Sequence, residues 1–203
     1  RIGAKAFGLT AIGFGGEAIV LPGGLQEIGE QAFWACDFQQ MIIPDSVTAI
    51  DNSAFANCKQ MTFLKIGTGT SVLPSGAFEN CDQLKRVEFP EGLVEIGPDC
   101  FRGSTIAEVT FPSTLKILGN RSFGFSGNSL SINGGSLVRA MFKGDAPSSF
   151  GGGVFGNRAS EFVVNFLGGA TGFTEPAWRG LRSHGVSVLP SDELQPFGDF
   201  IYR

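Results

Sequence analysis

"IDNSAFANC", residues 50–58, has relatives along the chain: "IGEQAFWAC" at 28–36, "LPSGAFENC" at 73–81 and "IGPDCFRGS" at 96–104. Aligned on their shared aromatic, the copies place Phe7, Phe33, Phe55, Phe78, Phe101 and Phe123 in one column, at spacings of 26, 22, 23, 23 and 22 residues. An aliphatic residue stands five positions earlier each time: Ile2, Ile28, Ile50, Leu73, Ile96, Leu118. A small residue immediately precedes the Phe: Ala6, Ala32, Ala54, Ala77, Cys100, Ser122. Eleven residues before five of these Phe lies a turn residue, namely Pro22, Pro44, Gly67, Pro90 and Pro112. Columns that agree at so many positions define an internal repeat, and a period of this size marks a repeat architecture.

Each repeat carries a run that ends at the turn residue: "GEAIVLP", "FQQMIIP", "MTFLKIG", "LKRVEFP", "IAEVTFP". Apolar residues recur six, three and one positions before that residue, and the last three positions alternate in, out, in, the periodicity of a strand. Proline closes the strand because it has no N–H with which to continue a ladder. A unit of 22–23 residues with one such strand cannot bury its apolar face alone. Stacked units do so, with parallel strands on one side, returning segments on the other and a continuous core between them. The column of Phe then forms a spine, each buried ring contributing roughly 1.5–3 kcal/mol. The residue before it is small because the next rung passes close by. This spine accounts for the 20 Phe against a single Tyr.

The composite pattern L-x-x-I-x-I-P-x-x-V-x-x-I-G-x-x-A-F-x-x-C resembles the BspA-type (Treponema pallidum-type) leucine-rich repeat, over residues 1–126. The period lies within the range of about 20–29 residues of leucine-rich repeats. The resemblance implies a β-rich leucine-rich-repeat solenoid belonging to a bacterial cell-surface or secreted protein, in many members an adhesin. At "KIGTGTSVLPSGAF" Gly67 replaces the proline and Thr70 the apolar residue, which predicts a looser turn there.

Beyond residue 126 the pattern degenerates. "LVRAMFK" (137–143) fits the strand template through Leu137, Ala140 and Phe142, and Val154–Phe155 stand where the small residue and spine Phe belong. This predicts a degenerate rung preceded by an eight-residue insertion around "GNSLSING". A strand in "EFVVNFL", a helical turn in "EPAWRGL" and a strand in "VSVLP" follow. Phe173 and Trp178 are expected to plug the open end, since an exposed terminal rung must be sealed. The expected division is 1–126 for the repeats, 127–190 for the degenerate rung and cap, and 191–203 for a tail. The chain opens at "RIGAKAF", already inside the repeated phrase, and "FGDFIYR" is similar to the opening strand of a further module. The expectation is therefore a segment of a longer, multi-module protein.

A net charge of −4 with only 17 % charged residues provides no basic stripe to neutralise phosphates, which argues against nucleic acid. No apolar run approaches the ~18 residues that span a bilayer. Cys36, Cys58 and Cys81 share one column, three residues after the spine Phe. Stacked side chains point the same way at the ~4.7–4.9 Å strand spacing, above the ~3.8 Å between Cβ atoms of a disulfide. They also lack the paired spacing of zinc ligands, so they read as buried free thiols, with Cys100 filling a small core slot. His184, the sole histidine, reads as a loop residue rather than part of a catalytic group. Asp45, Asp51, Glu91, Glu95 and Asp99 are scattered over turns without an acid pair. "GTGTSVLPSG" and Gly151–Gly153 lack the Lys-Ser/Thr of a phosphate loop. The sequon Asn120-Arg121-Ser122 places its Ser in the buried small column. No cofactor or metal is implied, and the chain reads as non-catalytic.

The remaining candidates are on the sheet face. Residues two and four before the turn residue point outward, in the columns Val20, Ile42, Lys65, Glu88, Thr110 and Ala18, Gln40, Phe63, Arg86, Glu108. Lys65 is expected to pair with Glu88 and Arg86 with Glu108 across strands, and Val20, Ile42 and Phe63 form an outward apolar group of the kind that marks contact surfaces. Trp34 lies in the outward column after the spine Phe, either as a binding anchor or packed beneath Phe14. Two functions follow: a protein- or glycan-binding module using this face, or a rigid spacer whose neighbouring modules cover it.

Overall fold

The computed structural model describes residues 1–9, 19–125 and 135–186. In chain order the first strands are β1 (Ile19–Val20), β2 (Glu27–Ile28), β3 (Gln40–Ile42), β4 (Ala49–Ile50), β5 (Phe63–Lys65), β6 (Val72–Leu73), β7 (Arg86–Glu88) and β8 (Glu95–Ile96). The rest are β9 (Glu108–Phe111), β10 (Ile117–Leu118), β11 (Leu137–Phe142), β12 (Ser149–Phe150), β13 (Arg158–Leu167), β14 (Ala177–Trp178) and β15 (Leu181–Val186). They form a parallel solenoid of about seven turns, with no helix among the described residues.

The front row is the strand predicted in each repeat: β1-β3-β5-β7 in one sheet, then β9-β11-β13-β15 in a second, all parallel, with β14 added antiparallel to β15. A second row, β2-β4 and β6-β8-β10-β12, comes from the aliphatic column. Its strands have only two residues each, too few for any periodicity, so the sequence shows them only as returning segments. Between the rows the core is built as the template predicts. Phe38, Met41 and Ile43 of one rung are buried, as are Met61, Leu64 and Ile66 of the next.

The spine rings stack face to face. Centroids of Phe33, Phe55, Phe78 and Phe101 follow one another at 5.1, 5.2 and 5.3 Å with interplanar angles of 2–6°. Phe7 and Phe123 extend the stack at 5.2 Å on either side, and Phe155 adds a tilted ring 6.2 Å from Phe123. The ring spacing is set by the backbone. Phe33 N–H donates to Ala54 O, Phe55 N–H to Ala77 O and Phe78 N–H to Cys100 O, at 2.8–2.9 Å. Each turn holds its shape by alternating backbone hand. Lys5, Gln31, Ser53, Asp99 and Arg121, two residues before the Phe, lie at φ 52–56°, and Ala35, Asn57 and Asn80, two residues after it, at 55–61°. A left-handed residue other than glycine costs about 1–2 kcal/mol. The cost is offset because the alternation turns N–H groups toward the next rung, where Ser53 N–H meets Ser75 O at 3.1 Å and Asn57 N–H meets Glu79 O at 2.7 Å.

Two expectations are corrected here. The turn at Gly67 is no looser than the others: Thr70 N–H reaches Gly67 O at 3.2 Å, as Leu93 reaches Pro90 at 3.3 Å. Thr70 is fully buried and its hydroxyl donates to Val47 O at 3.0 Å, and a Cβ on Gly67 would lie 2.4 Å from the Pro44 carbonyl. Second, "EPAWRGL" forms no helical turn. Trp178 pairs with Leu181 across a two-residue hairpin in which Arg179 and Gly180 have φ of 51° and 75°, the left-handed pair that a type I′ turn requires. The last described strand is Leu181–Val186, whose partner β13 sets the register from Val163 opposite Arg182 to Leu167 opposite Val186; the expected strand "VSVLP" lies outside the described residues past Val186. Residues beyond Val186, including the tail, lie outside the described residues, as does the "GNSLSING" insertion.

The expected aromatic pair at the far end does come together. Trp178 is buried, 4.9 Å from Phe173, 5.0 Å from Phe150 and 5.9 Å from Phe142, while Phe173 stacks on Phe166 at 4.5 Å.

Candidate functional site

Strand alternation places the predicted columns on the side of the front row away from the core. Val20 is 89 % exposed and Ile42 46 %, and they are register neighbours, with Lys65 next in line. Gln40, Phe63 and Arg86 form the adjacent line. Ala18 and Phe14 lie outside the described residues.

The charges pair differently from the expectation. Arg86 bonds Glu88 on its own strand rather than Glu108, and its guanidinium lies 5.3 Å from the Phe63 ring centroid. The reason is local geometry: residues i and i+2 of a strand share a face, and Phe63, directly opposite Arg86 in register, offers a ring to cover. Such stacking contributes about 0.5–1 kcal/mol at an exposed site. Glu88 is thereby taken from Lys65, which stands opposite it in register. Glu108 instead faces Arg139 at 4.0 Å, because β9 pairs with β11 and not with β7. Glu108 and Thr110 are half-buried, and Trp34 is likewise neither buried nor open.

The other candidate chemistry is structural. Cys36, Cys58, Cys81 and Cys100 are free and buried. The first three donate their S–H to the spine carbonyl of the preceding rung: Phe7 O at 3.1 Å, Phe33 O at 3.1 Å and Phe55 O at 3.3 Å. Burial pushes the Cys58 and Cys100 thiols well up, the adjacent Cys81 adding to the effect at Cys58. Thiols held protonated in this way are poor nucleophiles and poor metal ligands.

Three of the five turn carboxylates, Asp45, Glu91 and Asp99, are likewise engaged. Thr68 N–H bonds Asp45 at 2.8 Å and holds its carboxyl below the ordinary value. At Glu91 partial burial acts to raise the pKa but is outweighed by bonds from Lys143 and Ser113. Asp99 takes two bonds from Arg121 at 2.8 Å and lies 3.4 Å from Arg102. His184 is exposed within β15 rather than in a loop, and the neighbouring Ser183 is buried on the opposite side with its hydroxyl on Thr174 O. No group of His, Cys, Asp or Glu able to hold a metal is found among the described residues. A recess of about 470 Å³ opens beside Val20, lined by apolar residues such as Ile2, Phe7, Leu21 and Phe33, with Arg1 as its charged residue. No helix among the described residues is long and apolar enough to cross a membrane.

The outward face continues past the predicted columns into Arg139, Val163 and Arg182 on one line, with Asn165 and His184 on the other. Sequence reasoning stopped at Thr110 because the spacing breaks after it; the strand template already fitted at 137–143 would have reached Arg139.

The fold is that of a leucine-rich-repeat solenoid built on a phenylalanine spine. The BspA type leucine rich repeat region matches residues 1–129 in six copies, and the chain belongs to that family. Among solved structures it is similar to a leucine-rich repeat protein of Bacteroides ovatus, with a TM-score of 0.56 and 22 % identity over 90 % of this chain and 51 % of that one. It is also similar to a leucine-rich repeat protein of Treponema pallidum, with a TM-score of 0.56 and 24 % identity over 75 % of this chain and 74 % of that one. The chain thus spans about half the length of the Bacteroides protein. No curated protein matches it. Leucine-rich-repeat domains are generally non-catalytic protein-interaction modules, and the BspA type is typical of bacterial surface proteins.

Proposed function

We propose that the chain is an adhesion-type recognition module of a bacterial surface or secreted protein, contacting a partner protein through the outward face of the front row. The observation that carries this reading is the open apolar pair Val20 and Ile42, 89 % and 46 % exposed, beside Phe63 capped by Arg86. These side chains do nothing for the core, which lies on the other side of the same strands. Open apolar groups rimmed by charge mark contact surfaces, and aromatic and Arg residues are the commonest anchors in them. Lys65, Glu88, Gln40, Glu108 and Thr110 frame the group. Residues 1–126 are then the repeat body and 127–190 its seal.

The apolar recess beside Val20 supports a second reading, a rigid spacer whose neighbouring modules cover this surface. Arrays of matrix proteins and of glycans, probed with the chain and with Phe63→Asp and Arg86→Glu, separate the two. Saturable protein binding lost in both variants, with circular dichroism unchanged, supports the recognition module. Silence across the protein array, or binding indifferent to both changes, supports the spacer. Capture by glycans alone would move the partner class from protein to carbohydrate.

A further inference from the structure

The front row carries a charge opposite to that of the chain. The strands of the front row, with β14 and the hairpin turn, hold six cations (Lys65, Arg86, Arg139, Arg158, Arg179, Arg182) against three carboxylates (Glu88, Glu108, Glu161), a net of +3 on a chain of net −4. The second row holds two carboxylates, Glu27 and Glu95, and no cation, a net of −2. Core packing does not produce this segregation, since outward positions accept either sign.

Much of the positive charge is already met. Arg86 is bonded to Glu88, and Arg158 donates to Phe155 O at 3.2 Å. The most loosely paired cations lie toward the far end. Arg139 is 49 % exposed by side chain, with Glu108 only at 4.0 Å. Arg182 is exposed, with no ion-pair partner among the described residues. The two flank half-buried Val163 in register, which places them two strand spacings, about 9–10 Å, apart. Glu161, which accepts from Ser160 at 2.9 Å, and Glu175, which accepts from Gly185 N–H, also stand at this end, and the strands from β11 to β15 still hold three cations, Arg139, Arg158 and Arg182, against one carboxylate, Glu161.

We propose that this end of the face, from β11 to β15, docks an extended acidic peptide segment lying across the strands, with carboxylates on Arg139 and Arg182 and an apolar side chain between them on Val163. The inference rests on the reading of the front row as a protein-recognition face and names the chemistry of the partner. In an extended peptide residues i, i+2 and i+4 share one face at intervals of about 6.6–6.8 Å, so acids at i and i+4 reach the two guanidiniums while an apolar residue at i+2 rests on Val163. Apolar contact at Val163 selects a peptide over a polyanionic glycan, which has no apolar side chain to place there. Opposite charge on the face also speeds encounter and sets orientation.

The test is a fluorescence-anisotropy titration of the full chain against a short labelled Glu-Leu peptide of repeating Glu-Ser-Leu-Ser, which presents Glu and Leu in turn on one face, with its Lys-Leu counterpart (Lys-Ser-Leu-Ser) and a labelled heparin fragment alongside. Saturable binding of the Glu-Leu peptide is expected, weakened about tenfold or more in the double variant Arg139→Glu/Arg182→Glu, the size of one lost charge-assisted contact, and unchanged in Arg158→Glu. Circular dichroism verifies that each variant is folded. The inference is overturned if the Glu-Leu peptide does not saturate, if the Lys-Leu peptide binds as well, if the double variant binds normally, or if heparin binds more tightly with the same dependence on the two arginines. A natural partner lost in Phe63→Asp but retained in the double variant would leave the recognition face standing and remove only the acidic docking site.

Discussion

Truncating Phe78 to alanine tests the spine directly. The ring is 0 % exposed and lies between Phe55 and Phe101, 5.2 and 5.3 Å away and nearly parallel to both. A buried Phe→Ala change costs about 3–5 kcal/mol from lost transfer energy and the cavity left behind. Two stacked partners, each worth about 0.5–1.5 kcal/mol beyond burial, put this site at the upper end, about 5 kcal/mol. Both neighbouring rungs lose a packing face, so little relaxation is available to refill the space. With a urea m-value of about 2–3 kcal/mol/M, the midpoint should fall by about 2 M, followed by circular dichroism. Phe63→Ala is the matched control: the same residue type on the outward face, whose main contact is Arg86, and whose loss is expected at about 1 kcal/mol or less. Equal midpoint shifts for the two variants would refute the idea that the spine holds the solenoid together.

Other consequences can be measured on the same protein. All four cysteines are free and buried, so the native chain should leave Ellman's reagent almost unreacted and release four equivalents of signal only after denaturation. Asp99 has its carboxyl lowered first by the Arg121 hydrogen bond, against the opposing effect of partial burial. Its pairing stabilises the fold above the unfolded carboxylate pKa of about 3.9 and fades as pH falls through the lower folded value. Asp99→Asn, which tolerates the same left-handed backbone, should therefore lose up to about 1 kcal/mol at neutral pH, a gap that closes in unfolding curves taken progressively below pH ~4. Gly67→Ala should cost about 1–3 kcal/mol by overpacking, since its Cβ meets the Pro44 carbonyl at 2.4 Å; a neutral midpoint in thermal unfolding would show that the rung can spread.

The repeat columns were legible in the sequence because a solenoid is translational. The same position of every rung meets the same position of the next, so Phe33, Phe55, Phe78 and Phe101 experience one environment and converge on one residue. The thiol column and the sides of the front strand followed from the same logic, as did the place of Val20, Ile42 and Phe63 on the outward face. The hairpin at Trp178–Leu181 was not legible. Its local composition suits a helical turn, but β13 offers an edge to which Leu181–Val186 pairs, and a long-range ladder outweighs a weak local preference. Arg86 likewise had two candidate carboxylates in the outward columns, Glu88 and Glu108; because β9 pairs with β11 and not with β7, Glu88 on its own strand is the partner.

By itself, the sequence determined the period, the buried columns, the spine and the face that is left open, all of which are written in residue type at fixed spacing. The left-handed residues of each turn were decided only by the tertiary structure. Lys5, Gln31, Ser53, Asp99 and Arg121 share no chemistry, yet all adopt φ of 52–56°, because a backbone N–H there must find the carbonyl of the next rung. Hydrogen bonds between rungs act on the main chain, which is common to every residue and leaves no mark in the side chains that a sequence records.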